Sequence, residues 1–393
     1  MKKKVLLLII YLAFISLGLP DSLLGAAWPE MYPELKVPIA YAGIISMIVA
    51  AGTVISSLFS TKLIERFGVA VVTTVSVLFT ALAIIGFAYS NNIIYLFLLA
   101  IPLGLGSGCV DAALNNYVAL HYKASHMNWL HCFWGVGAAI GPVIMSSYFA
   151  RGESWSSGYL TVGWIQLGLV AILLFSIPLW VKRNPSSSNS DGPSKKSSYR
   201  EILKIPGIRQ ALIVFFCYCT IEATFGLWGA SYLVLIREFK PQDAAKLVSF
   251  YYGGITIGRF LSGFLTTRFT NQQLVYGGQG VLILGLITLS LPFQITLLPA
   301  FLLIGLGCAP IFPSLLHETP RNFGEKNSQA IMGLQMASAY VGITIMPLIF
   351  GELAVYLTYS SLFWFLGIIL MVKILLTVDL NRVVKKNRIP TSN

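Results

Sequence analysis

Residues 182–198 read Lys-Arg-Asn-Pro-Ser-Ser-Ser-Asn-Ser-Asp-Gly-Pro-Ser-Lys-Lys-Ser-Ser, the one long segment of a 393-residue chain with the composition of a linker. Ser, Asn, Gly and Pro with scattered charge bury too little apolar surface to offset the entropy of ordering. On either side the chain is strongly apolar: 56% of all residues are hydrophobic and only 11% charged, against roughly 25% charged in a soluble protein. Six apolar runs precede the linker, near 5–28, 39–60, 70–89, 93–119, 128–149 and 158–181. Six more follow, near 209–236, 247–266, 273–291, 295–316, 328–350 and 358–380. Each is about 20 residues, enough for a helix to cross a hydrocarbon core roughly 30 Å thick. The pattern predicts an all-α membrane protein with twelve transmembrane helices. An N-terminal six-helix half (1–181) and a C-terminal six-helix half (209–393) flank a linker (182–208). The end of that linker, 199–208, mixes Arg200, Glu201 and Lys204 with Ile202, Leu203 and Ile205, which suits a short helix on the membrane interface or a solvated connector.

The net charge of +12 would suit a nucleic-acid partner if it formed one patch, but 20 of the 27 Lys and Arg residues fall on alternate loops, on one side of the twelve spans. By the positive-inside rule that side is cytoplasmic. The expectation is a multi-pass protein of the cell membrane with both termini inside, the lipid bilayer as its surroundings, no nucleic-acid partner and a monomeric state. The start, Met1 to Pro20, is read as an uncleaved first span, because its apolar run outlasts a signal peptide's h-region and carries Asp21. Cys109, Cys132, Cys217, Cys219 and Cys308 all lie in spans with no metal-type pairing, so neither a zinc site nor a disulfide framework is expected. No Walker loop, G-x-S-x-G elbow or H-E-x-x-H pair is present. The chain therefore reads as no enzyme, without cofactor or metal.

Against this apolar background Asp21, Asp111 and Glu222 stand out, each deep in a span. An ionised carboxylate in hydrocarbon costs at least about 2.5 kcal/mol, so each calls for a polar cavity, a partner or a proton. On span four Gly104, Gly108, Asp111 and Asn115 recur at helical spacing. They read as a cavity stripe in which Asp111 meets substrate or takes a proton, or as a structural acid satisfied by a neighbouring helix. On span one Gly18, Asp21 and Gly25 share a face, and Pro20 loosens the helix beside the acid. Glu222 on span seven reads either as a further proton site or as the partner of Arg259 on span eight.

The halves also echo one another. Gly104-Leu-Gly106 in span four is matched by Gly305-Leu-Gly307 in span ten, each shortly before a cysteine, and Arg66-Phe67 by Arg268-Phe269. Matches in the same order at near-equal offsets indicate two structural repeats, the plan of alternating-access carriers, with substrate bound between them near the midplane.

Thr61-Lys-Leu-Ile-Glu-Arg-Phe-Gly68 resembles the loop signature G-x-x-x-D-R-x-G-R-R of the major facilitator superfamily. Glu65 replaces its aspartate, Arg66 and Gly68 match, and Thr61 and Val69-Ala70 depart from it. Gly135-Val-Gly-Ala-Ala-Ile-Gly-Pro142 is similar to the superfamily's G-x-x-x-G-P pattern, most often discussed for antiporters. Leu17-Gly-Leu-Pro-Asp-Ser22, Cys109-Val-Asp-Ala-Ala-Leu-Asn115 and Ala309-Pro-Ile-Phe-Pro313 resemble elements of the fucose-galactose-glucose proton symporter family, with Asp111 where that family carries glutamate. The resemblance implies two rocking six-helix halves. Glu65 and Arg66, with the Arg268 region, are expected as cytoplasmic gating contacts, and Arg259 as an ion-pair residue.

Sugars are held by amides and acids beneath an aromatic face. The candidates for substrate binding are Asp111, Asn115, Asn128, His131, Trp134, Trp228, Gln335 and Tyr340, and for proton coupling Asp21, Asp111 and Glu222. Each aromatic also has an ordinary reading as span packing, and His131 and His317 as hydrogen-bonded structural histidines. The expected work is proton-coupled uptake of a small hydroxylated solute, a monosaccharide first, with the proton as coupling ion. A proton-antiport exporter of an amphipathic drug or metabolite is the alternative, and a non-transporting receptor a further one.

Overall fold

The computed structural model describes residues 2–122, 124–180 and 199–387, so the linker reading of 182–198 lies outside the described residues. All regular structure among those described is helical. The first half comprises α1 (Lys2–Glu34), α2 (Tyr41–Phe67), α3 (Val69–Ala88), α4 (Ile93–His121), α5 (Ala124–Phe149) and α6 (Trp155–Ser176). A short α7 (Tyr199–Ile202) leads to α8 (Ile208–Ile236), α9 (Pro241–Leu265), α10 (Asn271–Ser290), α11 (Leu297–Cys308), α12 (Ile311–His317), α13 (Thr319–Phe323), α14 (Glu325–Leu357) and α15 (Ser361–Asn387). Where no water reaches the backbone, a helix satisfies every peptide group within its own segment, which is why the apolar runs take this form. Among the described residues eleven helical segments are long and apolar enough to cross a membrane. The twelfth span, α9, carries Asp243, Lys246 and Arg259 and packs between α5 and α11. This is a multi-pass membrane protein with two pseudo-symmetric six-helix halves.

Two local details add to the sequence expectations. The tenth span is divided into α11 and α12 around Ala309 and Pro310, because Pro310 has no N–H to continue the ladder. The segment after the linker is helical only over Tyr199–Ile202, ahead of Pro206. Within it Ile202 is buried against Ile208 and Ile331, docking the chain onto the second half, while Glu201, Leu203 and Lys204 stay exposed.

Short connections force neighbouring helices to run antiparallel. The end of the bundle where α1 begins and α6 ends is called proximal below, and the opposite end distal. Asn92 and Ser154 cap α4 and α6 by accepting the backbone N–H groups of Ile94 and Ser156. Between α2 and α3 stands one residue, Gly68, at φ +81°, a left-handed conformation that a side chain would strain. At the matching joint of the second half, Thr270 and Gln273 form a capping box instead.

The repeat seen in the sequence is a repeat in packing. Gly104 of α4 presses on the Val49 carbonyl of α2, and Gly106 on Ser76 and Thr80 of α3. In the second half Gly305 of α11 presses on the Tyr251 carbonyl of α9, and Gly307 on Gly278 and Leu282 of α10. Each Gly-Leu-Gly thus lets one helix approach two neighbours at backbone distance.

The halves meet along α5 and α9, where Gly135 faces Thr256, and along α2 and α14, where Gly43 faces Leu348. At the distal end Gly25 of α1 sits on the carbonyl of Gly226 in α8, closing that end backbone to backbone. Among the described residues no comparable seam joins α4 to α11, α12 or α14 at the proximal end.

Candidate transport site

Between the halves lies a cavity of about 400 Å³, within the range of small-molecule sites. Its first-half wall carries Asp21 and Asp111. Gly18 seats α1 on the backbone of α5 at Trp134 and Ala138. That close approach lets the Trp134 indole N–H donate to Asp21 Oδ2 over 2.8 Å. On α4, Gly104 and Gly108 are turned to α2 rather than to the cavity, and Asp111 lies at the edge of that stripe, facing the open space. Asn115 does not reach the cavity wall. Its amide donates to Asp111 Oδ1 over 2.9 Å, so it orients the acid from one turn away.

The second-half wall is built differently. Glu222 of α8 and Arg259 of α9 form an ion pair, Oε1 to Nη2 3.3 Å, with both side chains largely buried. The Arg259 guanidinium also lies 5.0 Å from the centroid of the Trp134 ring, a cation–π contact between the halves. Tyr252 meets the same indole edge-on, at 6.4 Å between ring centroids. Asp21, Trp134, Arg259 and Glu222 thereby form a continuous chain of contacts from α1 to α8. Glu222 is the acid of an ion pair in this conformation, whereas among the described residues no cation pairs with Asp21 or Asp111.

His131 and Tyr340 also line the cavity, with the His131 ring edge-on to Phe14 at 5.9 Å. Other expected residues stand elsewhere. Trp228 is fully buried, donates to the Pro347 carbonyl over 2.8 Å and packs on Phe350 and Tyr359, away from the cavity. Gln335 is buried too, its Oε1 accepting from Thr319. Both expectations fail for one reason: helical spacing fixes which residues share a face but not which neighbour the face meets. The side chain of Asn128 lies outside the described residues. Glu65, Arg66 and Arg268 are exposed at the proximal end, with Arg66 over the ring of Phe67 at 5.3 Å. None of the three enters an ion pair among the described residues, so the expected latch is not made here. The ion pair near that end is Glu318 with Arg321, and Asn271 also donates to Glu318.

Sequence reading missed Tyr252 and Thr53. Tyr252, Thr256 and Arg259 share one face at i, i+4 and i+7, a signal that would have found the tyrosine. Thr53 lines the cavity while its hydroxyl bonds back to the Val49 and Gly104 carbonyls, and nothing local distinguishes it from a packing threonine. Lys373 is buried in the interior of the second half, its Nζ without a hydrogen-bond partner among the described residues.

Comparison with known proteins agrees with this architecture. The model of the Major Facilitator Superfamily matches residues 10–326. The chain belongs to that superfamily, whose members carry solutes across membranes and are not enzymes. Among curated relatives, the glucose/mannose transporter of Bacillus subtilis (strain 168) is 26% identical over 289 residues, 70% of this chain and 69% of that protein. The Saccharomyces cerevisiae bypass of stop codon protein 6 is 26% identical over 286 residues, 66% of this chain, and the match spans 56% of the yeast protein's length. Among solved structures, an inward-facing, unoccupied bacterial homolog of the human lysosomal transporter Spinster superposes with a TM-score of 0.78 at 12% identity, covering 99% of both chains.

Proposed function

We propose that this protein couples proton entry to uptake of a small hydroxylated solute, in the first instance a monosaccharide. The observation that carries the reading is the pair Asp21 and Asp111, two carboxylates that face one interhelical cavity with no ion-pair partner among the described residues. An ionised acid there raises the cost of closing the cavity, and a proton removes that cost. A solute bearing several hydroxyls donates to the same oxygens, while the Trp134 and Tyr340 rings offer it apolar faces. Protonation and binding together then favour reorientation, and the proton gradient supplies the bias. The relationship to a glucose/mannose transporter supports the sugar class. By the distribution of Lys and Arg the proximal end lies in the cytoplasm of the cell, so the closed α1–α8 seam faces outward.

The test is the external pH of de-energised cells expressing the protein on addition of a panel of monosaccharides, with Asp111→Asn as control. Alkalinisation by one sugar, abolished in the control, is expected. Silence across the panel with confirmed surface expression would overturn the symport reading in favour of an exporter or an uncoupled carrier.

A further inference from the structure

Pro20 has no backbone N–H, so the carbonyl of Ser16, four residues earlier in α1, loses its helical donor. A buried carbonyl left in that state costs free energy comparable to a lost hydrogen bond. Here it is not left so: Gln166 of α6, buried at 1% exposure, donates its Nε2 to the Ser16 carbonyl over 2.8 Å. The substitute donor arrives from another helix, one turn before Asp21.

The same amide has a second end. Gln166 Oε1 and Ser16 Oγ are both buried and have no hydrogen-bond partner among the described residues. Ser16 and Gln166 are among the residues that line a gap of about 10 Å³ between α1, α3, α4 and α6, with Pro20, Val77, Thr80 and Val110. Such a gap is close to the least that holds one water, and two or more polar neighbours are needed to hold it there. Ser16 Oγ donates or accepts, Gln166 Oε1 accepts, and Thr80 Oγ1, which donates to the Val77 carbonyl, keeps a lone pair facing its surroundings. Three neutral oxygens without a carboxylate match a water better than a metal cation, whose hard sites include charged ligands.

We propose that Gln166 is a positioning residue for Asp21. Its amide N–H replaces the one missing at Pro20, and its carbonyl, with Ser16, seats a single water in the gap. The missing rung in the α1 hydrogen-bond ladder is thereby made good on the side away from the cavity, which sets where the Asp21 carboxylate stands relative to Trp134. This concerns the placement of Asp21 and holds whichever solute or ion the carrier moves.

The experiment is a double-substitution cycle of Gln166→Leu with Pro20→Ala, read at the Trp134 indole N–H resonance in detergent-solubilised protein and assigned by its loss in Trp134→Phe. Pro20→Ala restores the backbone donor and makes the amide of Gln166 redundant at Ser16. Gln166→Leu alone is expected to displace the resonance, and the same change in the Pro20→Ala background to displace it little further. Equal displacement in both backgrounds, or none in either, overturns the positioning role. Should Gln166→Leu not be recovered folded, Gln166→Met removes the donor at similar length and serves the same cycle. A high-resolution diffraction map with density bonded to both Ser16 Oγ and Gln166 Oε1 is the expected sight of the water. A dry gap, or a resonance that responds to sodium in the wild type and not in Ser16→Ala, overturns it. Absence of sugar uptake leaves these readouts unchanged, so failure of the symport reading is distinguishable from failure here.

Discussion

The two halves share one packing plan and present opposite electrostatics to the cavity. In the first, Asp21 and Asp111 meet only neutral donors among the described residues, the Trp134 indole and the Asn115 amide. In the second, Glu222 is bound to Arg259. The repeat preserved the glycines that fix interhelical distance and let the polar positions diverge. Symmetry therefore governs the scaffold, while the halves differ in charge pairing: among the described residues one half holds acids without an ion-pair partner, the other an acid already paired.

The contrast is broken or upheld first by neutralising acids. Asp21→Asn and Asp111→Asn are each expected to abolish concentrative uptake while leaving solute counterflow within a few fold. A charge-burial difference of about 2.5 kcal/mol corresponds to nearly a hundredfold in a reorientation rate. Persisting accumulation in both variants, assayed in energised vesicles, would place the coupling elsewhere. In the second half the loss should be one of stability. Arg259→Met leaves Glu222 buried and alone, at a cost of about 3 kcal/mol, the low end for such pairs because this one is partly solvent-reached. The double variant with Glu222→Gln should recover most of the thermal midpoint in detergent.

Smaller effects sharpen the shared side of the comparison. Gly104→Val and Gly305→Val each force a side chain against a facing carbonyl and should destabilise by similar amounts, about 2 kcal/mol. Unequal melting shifts would mean that the packing repeat is not an energetic one. Smallest is the indole pair. Trp228→Phe loses one buried hydrogen bond to Pro347, about 1 kcal/mol, with KM unchanged. Trp134→Phe frees Asp21 and weakens the contact with Arg259, so KM for the solute should rise severalfold with little change in melting.

The number of spans, the division into halves and the glycine correspondence were legible in the sequence, because hydrocarbon thickness sets helix length and backbone approach demands glycine. Asp21, Asp111, Trp134 and Tyr340 all line the cavity. Trp228 and Gln335 stand on the same helices as Glu222 and Tyr340 but turn into buried seams, since a face that satisfies helical spacing is equally satisfied by such a seam. The Glu222–Arg259 pair was one of two readings open from sequence, and only the relative placement of α8 and α9 decides between them. The exchange of donors between Pro20 and Gln166 spans 146 residues of chain and follows no local pattern. It becomes readable once α6 is seen beside α1.

Gly68 carries a mechanical consequence. With one residue between α2 and α3 there is no slack in the joint, so the two helices behave as a bent lever with its elbow at the proximal end. α2 bears on the other half through α14, while α3 bears on α4 and α6 within its own. A tilt of α2 against α14 would therefore reach α3 through a single glycine as well as through α4, with no loop at the joint to absorb it.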